Sequence, residues 1–215
     1  MKILGVIFDL DGVIVSTDNC HYLAWKRMAD EEGIPFDRAV NERLRGVSRM
    51  ESLAIILEKA RKEYSEEEKQ ALAARKNGYY VELIGNLTAK DILPGAMDTL
   101  NWLKAKGVKV AIGSSSRNTP IILRQIGLSD AFDAVADGNA IKNSKPDPEV
   151  FLLAASLLNL DPANCLVVED ADAGIQAALA GGMRALGVGS AAANPTATFT
   201  AESLEKADFD SILKV

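Results

Sequence analysis

The sequence predicts an α/β protein whose core is a Rossmann-like parallel sheet covered by helices, with an α-helical cap inserted after the first strand. Three observations support this fold class. An apolar segment at residues 3–8 is typical of a buried parallel strand. From Pro94 onward, helical and strand patterns alternate, as they do in the βαβ units of a parallel sheet. Between these two parts, residues 16–88 show helical patterns only.

The helical insert contains three recognisable helices. The first begins near Asp18 and places Trp25 and Met28 on its apolar side. The second repeats apolar residues at helical spacing, at Leu53, Ile56, Leu57 and Ala60. The third begins with a capping box, Ser65-Glu66-Glu67-Glu68. Its expected buried residues are Leu72, Tyr79, Tyr80 and Leu83.

The alternating half begins with a helix that ends at Lys106, because Gly107 is a typical C-terminal glycine. The predicted strands that follow are residues 108–112, 134–136, 166–168 and 185–188. One predicted helix begins beyond Pro120, and two further helices cover residues 150–158 and 172–180. The resulting domain boundaries are 1–15 and 90–215 for the α/β core and 16–89 for the helical cap.

Composition argues against several classes of protein. The chain has 215 residues, of which 48% are apolar and 25% charged, and this is typical of a globular protein rather than a disordered one. A net charge of −6 argues against a nucleic-acid surface. Cys20 and Cys165 lack metal-ligand spacing, so we interpret them as free thiols in a reducing compartment. The short N-terminal apolar run carries Asp9 and Asp11, so we expect neither a signal peptide nor a membrane span, and a cytoplasmic protein.

Polar residues follow the first two predicted strands at the edge where open α/β sheets bind ligands. Asp9 and Asp11 follow the first strand, and Gly12 allows the backbone to turn away from the sheet. The run 113–118 follows the second strand and leads into a helix. Its hydroxyls and N–H groups, with the start of that helix, could bind an anion. A serine run in this place is also typical of a helix N-cap.

Further charged residues belong to the same predicted edge. Lys145 precedes Pro146, which favours an extended backbone and could direct the lysine towards the sheet, although a solvated lysine is the simpler alternative. Glu169 and Asp170 follow the fourth strand, with Asp172 close behind. Several carboxylates at one edge require a hard cation, and oxygen ligands suit Mg²⁺. N-capping by Asp170 or Asp172 is a structural alternative that does not explain the clustering.

These four groups of residues, in this order, resemble the haloacid dehalogenase superfamily of aspartate-nucleophile phosphotransferases over essentially the whole chain. The resemblance implies a haloacid dehalogenase-like fold in which Asp9 accepts a phosphoryl group and Asp11 is the general acid and base. The implied catalytic residues are Asp9, Asp11, Ser114 and Lys145, and the implied Mg²⁺ ligands are Asp9, the Asp11 backbone carbonyl, Glu169 and Asp170.

Motifs of the helical insert narrow this resemblance. His21, the only histidine, precedes Trp25 and Lys26, and the insert also contains G-V-S-R at 46–49 and R-K-N at 75–77. With S-x-S-x-N at 114–118 and S-K-P at 144–146, these motifs resemble the β-phosphoglucomutase family. The implied substrate-binding residues are His21, Trp25, Gly46, Val47, Ser48, Arg49, Lys76, Ser115, Ser116, Arg117 and Asn118.

Four of these residues, Arg49, Ser116, Arg117 and Asn118, are implied to hold the phosphate that is not transferred. The chain departs from the family pattern at two positions, with Arg117 where lysine is expected and Ser115 where alanine is expected. Neither change removes a needed group, but together they leave room for a different sugar. A structural role is the common alternative for a single histidine such as His21, and a solvated face is the common alternative for the R-K-N run.

The resemblance implies interconversion of β-D-glucose 1-phosphate and glucose 6-phosphate through an aspartyl-phosphate and glucose 1,6-bisphosphate. A sugar-phosphate phosphatase would use the same core residues and is the main alternative. Phosphonatase chemistry would need a Schiff-base lysine such as Lys26, and a phosphorylation-switched receiver domain would lack the helical insert. We expect a small-molecule sugar phosphate as partner, neither nucleic acid nor membrane, and a monomer.

Overall fold

The computed structural model describes residues 2–44 and 47–214. The chain forms two compact units, Met1–Ser16 with Thr88–Val215, and Thr17–Leu87. We call the first the α/β unit and the second the helical unit. The predicted junctions at 15/16 and 89/90 lie one and two residues from these boundaries. Each unit is described separately below.

The α/β unit is built on a parallel sheet, which confirms the predicted fold class. Its strands among the described residues are β1 Gly5–Phe8, β2 Lys109–Gly113, β3 Ala134–Ala136, β4 Cys165–Glu169, β5 Arg184–Gly187 and β6 Phe199–Thr200. Their order is β3-β2-β1-β4-β5-β6, so β1 lies between β2 and β4. The strand order reverses between β1 and β4, and such a switch point opens a crevice at the carboxyl ends of the strands.

The helical unit contains α1 Asp18–Glu31, α2 Arg38–Glu42, α3 Arg49–Leu57 and α4 Glu66–Ile84. The capping box predicted at the start of α4 is confirmed, because Ser65 Oγ accepts the Glu68 N–H and the Glu68 carboxylate accepts the Ser65 N–H. The core of this unit is formed by apolar side chains that include Trp25, Met28, Leu53, Ile56 and Leu72.

The helices of the α/β unit are α5 Ala96–Ala105, α6 Thr119–Gln125, α7 Glu149–Leu157, α8 Asp172–Ala180 and α9 Phe209–Ile212. The core of this unit includes Ile7, Ala111 and Val167 of the sheet with Phe151 of α7 and Ile175 of α8. Helix α5 ends as predicted, before Gly107 with its positive φ of 73°. No helix in the described parts of the chain has the length and apolar character needed to cross a membrane.

Several local predictions differ from the structure. Strand β6 has two residues and α9 has four, too few to produce a sequence period. Helix α3 ends at Leu57, so Ala60 is not part of the helix, although it packs against the core of the helical unit. On α4 the fully buried positions include Lys76 and Ile84, whereas Tyr79 and Leu83 are half-buried. Periodicity misses Lys76 because a lysine counts as polar, whatever partners the fold supplies.

Candidate active site

The loop after β1 carries Asp9 to the carboxyl edge of the sheet. The Asp9 N–H donates to the carbonyl of Val168 at 2.9 Å, which continues the pairing of β1 with β4 for one residue. The chain then turns tightly, with the N–H groups of Ile14 and Val15 donating to the Leu10 carbonyl at 3.0 and 3.1 Å. Asp9 is buried and Asp11 is half-buried. The turn therefore presents both aspartates at this edge.

Two glycines make room for the carboxylates. Gly12 has φ of 79°, and a Cβ there would lie 2.1 Å from Asp170 Oδ2. A Cβ at Gly174 would lie 1.9 Å from Glu169 Oε1. Because neither distance is compatible with a side chain, glycine at both positions is a condition for the observed placement of Glu169 and Asp170.

Lys145 joins two of the carboxylates. Its Nζ donates to Asp9 Oδ1 at 2.5 Å and to Glu169 Oε1 at 2.7 Å, and it lies 4.5 Å from the centre of the Phe151 ring. Burial alone would lower the pKa of Lys145, but the charges of Asp9 and Glu169 raise it above the usual value. The side chain is 9% exposed, so the alternative of a solvated lysine is wrong.

The carboxylates of Asp9, Glu169 and Asp170 form a cluster whose oxygens all lie within 4.8 Å of one another. Burial raises the pKa of Asp170 to about 8, and the charges of Asp9, Glu169 and Asp11 contribute further. Burial likewise raises the pKa of Glu169. One lysine does not balance this set of carboxylates, and all donors are oxygens. The donor set therefore fits a hard divalent cation.

Backbone contacts explain why capping does not account for these acids. Helix α8 begins after Ala171, so neither Asp170 nor Asp172 occupies its N-cap. Instead, Glu169 Oε2 accepts the Ala171 N–H at 2.8 Å, and Asp172 Oδ1 accepts a hydrogen bond from Asn194 at 2.7 Å. The clustering thus has no capping explanation.

The serine loop, residues 114–118, follows β2 beside β1. Ser114 is buried, and its N–H donates to the Ala136 carbonyl at 3.1 Å. Ser114 Oγ accepts the Ser116 N–H at 3.3 Å, and Ser116 Oγ accepts the Asn118 N–H at 3.2 Å. The serines therefore order their own loop, and the N-cap of α6 is Asn118, whose side chain does not form the capping hydrogen bond.

Ser115 connects this loop to Lys145, since its Oγ accepts the Lys145 N–H at 3.4 Å. The predicted residues of the α/β unit thus meet at one sheet edge. They are Asp9, Asp11, Ser114, Ser115, Ser116, Arg117, Asn118, Lys145, Glu169 and Asp170.

A second group of predicted residues lies within the helical unit. Lys76 is 2% exposed and its Nζ lies 2.9 Å from His21 Nδ1. The same ammonium lies 4.7 Å from the ring centres of Trp25 and Tyr80. An ammonium has only donors, so Nδ1 of a neutral His21 accepts and the ring hydrogen is on Nε2. The usual surface role of an R-K-N run is therefore wrong for Lys76.

Charge and burial keep His21 neutral. Burial lowers the pKa of His21 well below its usual value, and the nearby charges of Lys76 and Arg49 lower it further. The ring of Tyr80 lies 4.1 Å from that of His21, centre to centre. Arg49 is held by Asn77, whose Oδ1 accepts from Nη2 at 2.8 Å.

The remaining predicted residues of this unit differ in their surroundings. Val47 is 39% exposed. Ser48 is the N-cap of α3 and forms a capping box with Glu51, so a structural role for its hydroxyl is present. Gly46 lies outside the described residues.

Sequence reasoning missed residues that act through contacts distant in the chain. The ring of Tyr80 contacts that of His21 at a tilt of 36°, and Asn77 holds Arg49. In the α/β unit, Gly138 and Asn139 contact the serine loop. The Asp-Gly-Asn sequence directly after a predicted strand was the available signal for this last contact.

The sequence model of the haloacid dehalogenase-like hydrolase family matches residues 3–182 of this chain. The chain belongs to this haloacid dehalogenase-like family. Among its curated relatives, a β-phosphoglucomutase of Bacillus subtilis is 50% identical over 187 residues, covering 86% of this chain and 83% of the relative. A fructose-1-phosphate phosphatase of Escherichia coli is 33% identical over 184 residues, covering 86% of this chain and 95% of the relative. The family thus includes both mutases and phosphatases.

A solved member of the family also resembles the whole fold. The crystal structure of a β-phosphoglucomutase from Clostridium difficile aligns with a TM-score of 0.90 and 44% identity, covering 99% of this chain and 96% of that one. The helical unit is therefore part of the resemblance, together with the sheet.

Proposed function

We propose that the chain is a Mg²⁺-dependent β-phosphoglucomutase that interconverts β-D-glucose 1-phosphate and glucose 6-phosphate through an aspartyl-phosphate and glucose 1,6-bisphosphate. The observation that carries phosphoryl transfer is the Asp9 carboxylate, which lies 2.5 Å from Lys145 and within the cluster formed with Glu169 and Asp170. The 50% identity to a β-phosphoglucomutase supports the mutase over the phosphatase.

In this proposal Asp9 is the nucleophile. A carboxylate oxygen of Asp9 forms a bond to phosphorus while the bond from phosphorus to the donor oxygen breaks. Asp11 gives its proton to that leaving oxygen, and later removes the proton from the sugar hydroxyl that attacks the aspartyl-phosphate. Lys145 and the Ser114 hydroxyl stabilise negative charge on the phosphoryl oxygens.

The residues proposed to hold Mg²⁺ are Asp9, the Asp11 backbone carbonyl, Glu169 and Asp170. When bound, the ion would neutralise charge on the transferring phosphoryl group. Without it, the carboxylates would repel the incoming phosphate, since Lys145 supplies a single positive charge at the cluster.

The other contacts to the sugar phosphate are proposed from the family resemblance. Arg49, Ser116, Arg117 and Asn118 bind the phosphate that is not transferred, and Ser115 supports them. The proposed substrate-binding residues of the helical unit also include His21, Trp25, Gly46, Val47, Ser48 and Lys76. Favouring a sugar hydroxyl over water a thousandfold requires about 4 kcal/mol of differential transition-state stabilisation, and two phosphate subsites could supply it.

A parallel assay of isomerisation and phosphate release tests this function. With Mg²⁺ and a trace of glucose 1,6-bisphosphate, the chain should convert β-D-glucose 1-phosphate to glucose 6-phosphate with little free phosphate. Asp9→Asn should retain the fold, measured by circular dichroism, and lose both activities, because the amide is not a nucleophile. Phosphate release without glucose 6-phosphate would contradict the mutase and identify a phosphatase.

We further propose a monomer in the cytoplasm. The two cysteines support a reducing compartment, since no disulfide joins Cys20 and Cys165. Burial raises the pKa of the Cys165 thiol to about 11, which leaves it unreactive. Light scattering of the purified chain would measure the oligomeric state.

A further inference from the structure

The loop after β3 packs backbone against backbone on the serine loop. We call residues 137–140 the Gly138 loop. A Cβ at Gly138 would lie 2.3 Å from the Ser115 carbonyl oxygen and 2.9 Å from the Arg117 nitrogen. The Gly138 N–H donates to the Ser116 carbonyl at 3.2 Å. Because only glycine fits so close an approach, the contact between the two loops requires glycine at position 138.

The Gly138 loop is itself rigidly built. Asp137 Oδ1 accepts the Asn139 N–H at 2.8 Å, and the Asp137 carbonyl accepts the Ala140 N–H at 3.1 Å. This is a turn stabilised by an aspartate side chain. Asp137 is buried directly beyond β3, so the turn is anchored to the sheet.

Arg117 is held by this loop at two points. Asn139 Nδ2 donates to the Arg117 carbonyl at 3.0 Å, and the Gly138 carbonyl accepts the Arg117 Nε–H at 3.2 Å. The first bond fixes the backbone and the second fixes the guanidinium. A guanidinium has five N–H donors in one plane, so using Nε–H leaves the four on the terminal nitrogens for a phosphate. A lysine has its three N–H donors on one nitrogen, so a bond to the Gly138 carbonyl would engage the same atom that must bind the phosphate.

We propose that Gly138 and Asn139 are positioning residues that preorganise the Arg117 guanidinium to bind two oxygens of the phosphate that is not transferred. The inference rests on the proposed function, because it requires a substrate with two phosphates. Holding the guanidinium before the ligand arrives reduces the side-chain freedom lost on binding. It also supplies a physical reason for arginine at this position, since Nε–H bonds the Gly138 carbonyl while both terminal nitrogens remain for the phosphate.

Binding of glucose 1,6-bisphosphate tests the proposal in the Asp9→Asn background, where turnover cannot intervene. By calorimetry, Asn139→Ala should raise Kd about three- to tenfold, the range expected for one net hydrogen bond. Asn86→Ala is the matched control, because Asn86 also donates its side-chain amide to a backbone carbonyl, that of Glu82 at 3.1 Å, on an exposed surface. Its Kd should equal that of the parent.

A double variant separates positioning from general stability. If Asn139 acts through the Arg117 side chain, Arg117→Ala/Asn139→Ala should bind the bisphosphate no more weakly than Arg117→Ala. A Kd no different from that of Asn86→Ala, or additive losses in the double variant, would overturn the proposal. Isomerisation by the unaltered chain is measured separately, and its absence would refute the proposed function, while the binding comparison would still decide the role of Asn139.

Discussion

Replacing Lys145 by methionine should destabilise the α/β unit, because it leaves two buried carboxylates without their common cation. Lys145 Nζ lies 2.5 Å from Asp9 Oδ1 and 2.7 Å from Glu169 Oε1, and its side chain is 9% exposed. Removing one partner of a buried ion pair typically costs about 3–5 kcal/mol. Since Glu169 already has a raised pKa, proton uptake by this carboxyl would limit the loss. We therefore expect the lower end, about 3 kcal/mol at neutral pH.

The measurement is the free energy of unfolding from urea titration at neutral pH, with and without Mg²⁺. The matched control is Lys142→Met on the same loop, because Lys142 is exposed and should change stability by no more than about 0.5 kcal/mol. Mg²⁺ should recover part of the loss in Lys145→Met, since a cation that binds the folded state stabilises it. Equal stability of the two variants in the absence of Mg²⁺ would refute the reasoning.

Two other predictions concern His21 and Gly174. Below about pH 6.5, His21 gains a proton in the unfolded chain but not in the folded one, because its pKa in the folded state is lowered. The free energy of unfolding of the wild type should therefore fall by up to about 1.4 kcal/mol per pH unit relative to His21→Gln, measured by urea titration from pH 7 to 5. Parallel curves for the two proteins would contradict the lowered pKa. Gly174→Ala should destabilise by about 1–3 kcal/mol and reduce isomerisation more than tenfold, because a Cβ would lie 1.9 Å from Glu169 Oε1. Gly78→Ala is its control, because a Cβ at Gly78 would have no atom within 4 Å. Gly78 lies within α4, where alanine should stabilise the helix by about 0.5–1 kcal/mol. Similar activity losses in both variants would refute the steric explanation.

Much of the fold was predictable from short-range patterns. The buried strand before Asp9 and the residues of β4 before Glu169 are continuous apolar runs, and the capping box at Ser65 marks the start of α4. The position of the helical insert also followed, because its periodicity differs from that of the α/β half. Strand β6 was not predictable, since two residues contain no period.

The candidate site was predictable in part for the same reason. Carboxyl ends of parallel strands meet at one edge, so residues such as Asp9 and Asp170 are expected together once the strands are recognised. The buried state of Lys76 was not predictable, because it depends on His21 and Trp25, which lie on another helix far from Lys76 in the sequence.

By itself, the sequence determined that this chain is an α/β protein with a helical insert and that acidic residues lie at the carboxyl edge of its sheet. Those properties follow from local spacing, which folding preserves. Only the tertiary structure decided that Lys145 lies between Asp9 and Glu169, that Gly174 makes room for Glu169, and that the Gly138 loop holds Arg117. These depend on distances between atoms far apart along the chain, and no spacing in the sequence specifies such distances.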